Sequence, residues 1–141
     1  MMMVVSLAAC TKTQSWSVEG PELAKEINER SDDMSKQFRS QGIPATAFAE
    51  YSASTKSVDI IYDFGTLDII PYFEENILKE MRVAFVDSFI STMKEKPNGL
   101  SDVTEMADLM AKDGGTLRIV LKGAGKQKAV TITAQDLKRA L

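Results

Sequence analysis

The sequence predicts an α+β domain in which two antiparallel β-hairpins form a sheet packed against a central apolar helix. Two pairs of strand-like runs, each pair joined by a short turn, predict the hairpins. One helix-periodic segment is far more apolar than the others. The resulting order, αββααββα, is typical of an antiparallel sheet rather than of a parallel doubly wound one. With 141 residues and 44% apolar residues, the chain is long enough for one domain with a hydrophobic core.

The first helix is predicted to begin at Pro21, because proline suits the first helical position and an acidic residue follows in the first turn. Its apolar residues recur at helical spacing on one narrow face, so we expect the helix to lie on the surface. These residues are Leu23, Ile27, Met34 and Phe38. Gly42 and Pro44 are expected to end it.

The two hairpins follow from alternation of apolar and polar residues. The first combines residues 45–52 with residues 58–64, and the second combines 116–121 with 129–133. The apolar residues of the second strand share one face, namely Val58, Ile60, Tyr62 and Phe64. In the second hairpin, Gly123-Ala124-Gly125-Lys126 is predicted to form the turn.

The central helix is predicted over residues 72–93, after Pro71 and before Pro97-Asn98-Gly99. Its apolar side chains cover a wide side, which favours a position in the middle of the domain. They are Phe73, Ile77, Leu78, Met81, Phe85, Val86, Phe89, Ile90 and Met93. Ser101 and Thr133 are each expected to cap a further helix.

The N-terminal segment is apolar and ends at the only cysteine of the chain, Cys10. Its nine residues are too few to cross a bilayer, which takes about 20. A hydrophobic stretch followed by small residues is typical of a signal peptide, although the usual basic residues before it are missing. Leu7-Ala8-Ala9-Cys10, followed by the polar residues Thr11 to Ser15, resembles the lipobox of bacterial lipoproteins.

This resemblance implies diacylglycerol on the Cys10 sulfur, cleavage before Cys10 and, in many bacteria, fatty acylation of the new N-terminus. Thr11, which is not aspartate, implies sorting to the outer membrane. Residues 1–9 are then a signal peptide, 10–20 a lipid-anchored tether and 21–141 the single α+β domain, with Trp16 packed on the domain edge. The alternative is an apolar N-terminus on a cytosolic protein, in which Cys10 is a buried thiol.

Basic residues are concentrated at the C-terminal end. The net charge of the chain is −3, which gives no general attraction to nucleic acid, yet residues 114–141 hold six basic residues and one acidic residue. We take four of the basic residues as candidate partner-binding residues: Arg118, Lys122, Lys126 and Lys128. The expected partner is an envelope protein or an anionic surface such as lipid headgroups. The alternative is a hairpin whose charges only contact solvent.

No catalytic, metal or cofactor site is predicted. The chain has no histidine, and its single cysteine allows neither an intramolecular disulfide nor a zinc site built from cysteine and histidine. We therefore predict a non-catalytic cell-envelope lipoprotein that acts as a membrane-anchored binding module. The alternative is a small ligand-binding or enzymatic domain with a pocket between sheet and helix, near Tyr51 and Tyr62.

Overall fold

A computed structural model of the chain describes residues 15–141, which form five α-helices and one four-stranded sheet. The elements, in chain order, are α1 (Trp16–Glu29), α2 (Ser31–Ser40), β1 (Thr46–Ser52), β2 (Ser57–Asp63), α3 (Glu75–Lys94), α4 (Gly99–Asp113), β3 (Thr116–Gly123), β4 (Lys126–Ile132) and α5 (Ala134–Ala140). A 3₁₀ turn, Ile70–Tyr72, lies between β2 and α3. Within this part of the chain, no helix combines the length and the hydropathy needed to cross a bilayer.

The sheet has the order β1-β2-β3-β4 and is mixed. Both predicted hairpins are present, because β1 pairs antiparallel with β2, and β3 pairs antiparallel with β4. The prediction of a wholly antiparallel sheet was wrong, since the inner strands β2 and β3 are parallel. The chain crosses from the end of β2 through α3 and α4 before β3 begins, and such a crossover brings the next strand back in the same direction.

One face of the sheet forms the hydrophobic core with the helices. Alternate residues of the two inner strands and of β4 point to this face, as the two-residue period of a strand requires. They cluster with side chains of α1, α3, α4 and α5. The cluster includes Val58, Ile60, Leu117, Ile119, Leu121, Val130 and Ile132 from the strands, and Trp16, Ala24, Val86, Ile90, Val103, Met110 and Leu137 from the helices. Ile61 and Val120 are also buried but lie outside this cluster, on the opposite face.

The start of the first helix differs from the prediction. The helix begins at Trp16 rather than at Pro21, and a second helix, α2, follows after Arg30. Pro21 lies inside the helix, so the proline signal gave a start that is five residues too late. Residues 16–20, expected to be part of the tether, are therefore helical. Residues 1–14, which contain the predicted signal peptide and Cys10, lie outside the described residues.

Trp16 belongs to the core and not to the domain edge, because its side chain is only 1% exposed. Its indole N–H donates a hydrogen bond of 2.7 Å to the backbone oxygen of Lys56, and its backbone N–H donates one of 2.7 Å to Asp113 Oδ2. The indole fits because Gly115 has no side chain: a Cβ there would lie 2.2 Å from the ring. Trp16 thus joins α1, the first hairpin turn and the end of α4.

The helix α3 is less central than predicted. Only Val86 and Ile90 are fully buried, and Val83 is 60% exposed. Most of its other large apolar side chains are half-buried at the border of the core. One side of α3 packs against β4, α4 and α5, whereas the rest of the helix is exposed. The sequence pattern predicted the wide apolar surface of α3, but it did not show how much of that surface packs against other elements.

Candidate functional site

The four candidate partner-binding residues do not form one surface. Arg118 and Lys122 lie on β3 and point to the face opposite the helices, where they stand beside Asp59 and Asp63 of β2. Lys126 and Lys128 pair with Gly123 and Leu121, so they point to the helix side of the sheet. The structure therefore separates the four basic residues into two pairs on opposite faces.

Arg118 forms a two-pronged ion pair with Asp59. Arg118 Nε donates to Asp59 Oδ1 at 2.9 Å, and Nη2 donates to Oδ2 at 3.1 Å. The Ser57 hydroxyl donates to the same Oδ1 at 2.7 Å and lies 2.6 Å from the Thr55 hydroxyl. The Asp59 side chain is only 8% exposed, so these donors supply hydrogen bonds that water has little access to provide. The pair adds a side-chain link to the parallel backbone pairing of β2 with β3, and the Arg118 guanidinium is thereby already engaged.

Lys126 and Lys128 form hydrogen bonds to residues of the segment that connects β2 with α3. Lys128 Nζ donates a hydrogen bond of 2.9 Å to the backbone oxygen of Phe73. Lys126 Nζ lies 2.9 Å from Asp68 Oδ1, and both side chains are exposed, so this pair contributes at most about 1 kcal/mol to stability. Among the described residues, no hydrogen bond or ion pair involves the Lys122 ammonium group.

The pocket considered near Tyr51 and Tyr62 is occupied by packed side chains. The Tyr51 ring lies against Gly20, where an added Cβ would come within 2.5 Å of it. The Tyr62 ring makes an edge-to-face contact with Phe38 of α2, at 5.6 Å between ring centroids. Burial raises the pKa of the Tyr62 hydroxyl above its ordinary value. Both tyrosines thus contribute to the core between sheet and helices.

A cleft of about 230 Å³ lies instead between α3 and β4, and we call it the α3–β4 cleft. Its walls are Glu75, Leu78, Lys79 and Arg82 of α3 and residues Ala129, Val130 and Thr131 of β4. Arg82 Nε is buried and has no hydrogen-bond partner among the described residues. A buried N–H without a partner is costly, so a partner that supplies an acceptor to the Arg82 guanidinium would be favoured. Arg82 was not predicted from the sequence, because α3 carries several charged residues and their spacing does not distinguish this one.

Helix side chains within residues 15–141 form hydrogen bonds to the backbone of one edge strand of the sheet but not to that of the other. At the edge formed by β1, Asn28 of α1 accepts a bond from the Ala49 N–H and donates one to the Ala49 oxygen, both at 2.6 Å. Ser35 of α2 accepts a bond of 3.0 Å from the Ala47 N–H. At the edge formed by β4, no described side chain makes such a bond to the backbone. The cleft runs beside this second edge.

Among residues 15–141, no group of three or more acidic or cysteine side chains is arranged to hold a metal ion. The lipidation residue predicted from the sequence, Cys10, is outside the described range, so the structure gives it no surroundings. No family model, curated protein or solved structure matches this chain.

Proposed function

We propose that the chain is a non-catalytic lipoprotein of the bacterial cell envelope, anchored through Cys10 in the outer membrane and acting as a binding module. The observation that carries the proposal is the sequence Leu7-Ala8-Ala9-Cys10 near the N-terminus, followed by polar residues. An acyl chain contributes about 0.8 kcal/mol per buried CH₂, and stable anchoring takes more than one chain. Diacylglycerol on Cys10, together with an N-terminal acyl group, meets this requirement.

The domain then serves to contact a partner, either an envelope protein or an anionic surface. Of the four candidate residues, Lys122 and Lys126 are the least engaged within the domain: no described bond involves Lys122, and the pair of Lys126 with Asp68 is exposed, whereas Arg118 and Lys128 form part-buried contacts. If these charges bind an anionic surface, affinity should fall as salt rises, because the Debye length shortens from about 10 Å at 0.1 M to 3 Å at 1 M. Binding of anionic vesicles by Lys122→Gln and Lys126→Gln variants tests this part of the proposal.

The anchor is tested by the intact mass of the protein isolated from membranes of the producing bacterium. We expect a chain that starts at Cys10 and carries the mass of diacylglycerol with or without a further acyl group. The Cys10→Ser variant should lose this mass and leave the membrane fraction. Mature protein that begins at Met1 and has a free thiol would contradict the proposal.

A further inference from the structure

The strand β4 presents a free backbone edge. It joins β3 through a two-residue turn in which Ala124 and Gly125 have φ values of 52° and 76°, the geometry of a type I′ hairpin. In such a hairpin, the residues that flank the turn exchange hydrogen bonds, and every second pair after them does the same. Lys128, Val130 and Ile132 therefore bond to β3, whereas Gln127, Ala129 and Thr131 direct their N–H and C=O groups away from the sheet.

These outward groups have no partner in the described part of the chain. The backbone hydrogen bonds outside regular elements include none from Gln127, Ala129 or Thr131, and no described side chain bonds to them. All three residues are exposed. An edge strand of this kind is a template for pairing with another extended chain.

The α3–β4 cleft lies directly beside these groups, and Arg82, whose Nε has no partner among the described residues, forms part of its wall. The cleft residues with charge are Lys79, Arg82 and Glu75, which leaves a net positive balance. A guanidinium with an unused N–H binds a carboxylate well, because the charge-assisted hydrogen bond is short and strong. A volume of about 230 Å³ suits one side chain rather than a whole small-molecule ligand, whose sites measure about 300–1,000 Å³.

We infer that β4 and the α3–β4 cleft bind an extended, acidic peptide segment of a partner protein. The segment adds to the sheet as a fifth strand through Gln127, Ala129 and Thr131, and one of its Asp or Glu side chains enters the cleft and bonds to Arg82. Because strand side chains alternate, every second residue of the segment lies on the helix side. The inference rests on the proposed binding role and names its site, but it does not depend on the lipid anchor.

A second copy of the chain is a less suitable occupant. Pairing of β4 with β4 of another copy would bring Lys79, Arg82 and the lysines of both strands together, and like charges at an interface oppose association. The acidic segment has the complementary charge, so the charge of the cleft favours it.

The first experiment selects peptides from a phage-displayed library of random octapeptides on the full chain with Cys10→Ser. We expect peptides with an Asp or Glu at one fixed position. Changing that acid to its amide should weaken binding by about tenfold or more, the size expected for a charge-assisted contact. The same change should have no further effect on the Arg82→Gln variant, because the contact has then already been removed.

Two further variants separate recognition from folding. Lys94→Gln, like Arg82→Gln, removes one positive charge from α3, but from an exposed position outside the cleft. The affinity of this variant for the selected peptides should stay within about twofold of that of the parent. Ala129→Pro removes one outward N–H but none of the bonds to β3, so it should weaken binding about tenfold while the far-UV circular dichroism is unchanged. Bound peptide should also slow hydrogen exchange at Gln127, Ala129 and Thr131.

Several results would overturn the inference. The first two are a library from which no octapeptide is selected, and selected peptides that bind the Arg82→Gln variant as tightly as the parent. The other two are bound peptide that slows exchange only outside β4, and a dimer of the chain that pairs through β4. None of these affects the acyl mass on Cys10, so the failure of the peptide site and the failure of the anchor are distinguished by different measurements.

Discussion

The two edge strands of the sheet differ in whether their outward backbone N–H and C=O groups have hydrogen-bond partners. Both β1 and β4 are edge strands, and each directs a row of backbone groups away from its partner strand. At β1, side chains of α1 and α2 bond to these groups through Asn28 and Ser35. At β4, the neighbouring helix α3 contributes one apolar side chain, Leu78, and three charged ones, Glu75, Lys79 and Arg82, and no described residue bonds to the outward backbone groups.

The difference indicates where the fold is closed and where it can accept another chain. Natural edge strands are usually covered or blocked, because a bare edge invites association. The β1 edge is completed within the domain, so its groups contribute to stability. The outward groups of the β4 edge have no partner among the described residues, and the proposed peptide site uses them. Four measurements test this difference between the two edges.

The largest difference should appear in hydrogen exchange. We expect the outward amides of Ala47 and Ala49 to exchange at least about 100-fold more slowly than those of Ala129 and Thr131, because only the first pair is hydrogen-bonded and covered by helices. Exchange monitored by NMR at each amide measures this ratio. The paired amides of Val130 and Ile132 are the control on β4 and should be slow. Equal rates at the two edges would contradict the comparison.

Ser35→Ala should lower the free energy of unfolding by about 2 kcal/mol, because it leaves the Ala47 N–H unpaired at a buried position. The Ser35 side chain is 7% exposed, so water has little access to replace the bond. Urea unfolding measures the change. Ser40→Ala, which removes a hydroxyl from an exposed position of the same helix, should change stability by less than about 0.5 kcal/mol.

Asn28→Ala should cost about 1–2 kcal/mol of unfolding free energy, although it removes two hydrogen bonds. The smaller cost follows from the exposed position of Asn28, because water can occupy the place of the removed side chain and bond to the Ala49 groups. Gln37→Ala on the exposed side of α2 is the matched control and should be neutral in the same urea experiment. A neutral Asn28→Ala would mean that the β1 edge does not need its side-chain partner.

The smallest effect concerns Tyr62, which pairs with Ala47 and lies under α2. Tyr62→Phe should change stability by less than about 0.5 kcal/mol at pH 7, because the ring contacts remain. Burial raises the pKa of the Tyr62 hydroxyl in the folded state, so above about pH 10 the unfolded chain loses this proton first.

The stability of the parent protein should therefore fall as pH rises above about 10, and Tyr62→Phe should remove that part of the fall. Urea unfolding at pH 8 and at pH 10.5 measures the two slopes. Identical slopes for the parent and the variant would indicate that α2 does not shield Tyr62 from water.

Local patterns in the sequence predicted the hairpins and the last helix cap, but not the starts of α1 and α4, since α4 begins at Gly99 and Ser101 lies inside it. Both hairpins, and the turn at Gly123-Ala124-Gly125-Lys126, follow from alternation and from glycine in the turn. The capping of α5 by Thr133 was also predicted, and the structure shows the full reciprocal arrangement with Asp136. In each case the decisive contacts lie within a few residues of one another.

Long-range contacts account for what the sequence could not predict. The parallel pairing of β2 with β3 depends on how the two helices between them cross the sheet. Asp59 and Arg118 are 59 residues apart, and only the register of these two strands brings them together. The central position of Trp16 likewise depends on Gly115 and Lys56, which no pattern near the N-terminus indicates.

The position of Trp16 limits how far the domain can stand from a membrane. If Cys10 carries lipid, only residues 11–15 separate it from Trp16, the first buried side chain among the described residues, and a fully extended chain of that length spans about 20 Å at about 3.5 Å per residue. The globular part would then be confined to a thin layer above the bilayer. Its partners would have to be found among molecules that reside in or next to the same membrane.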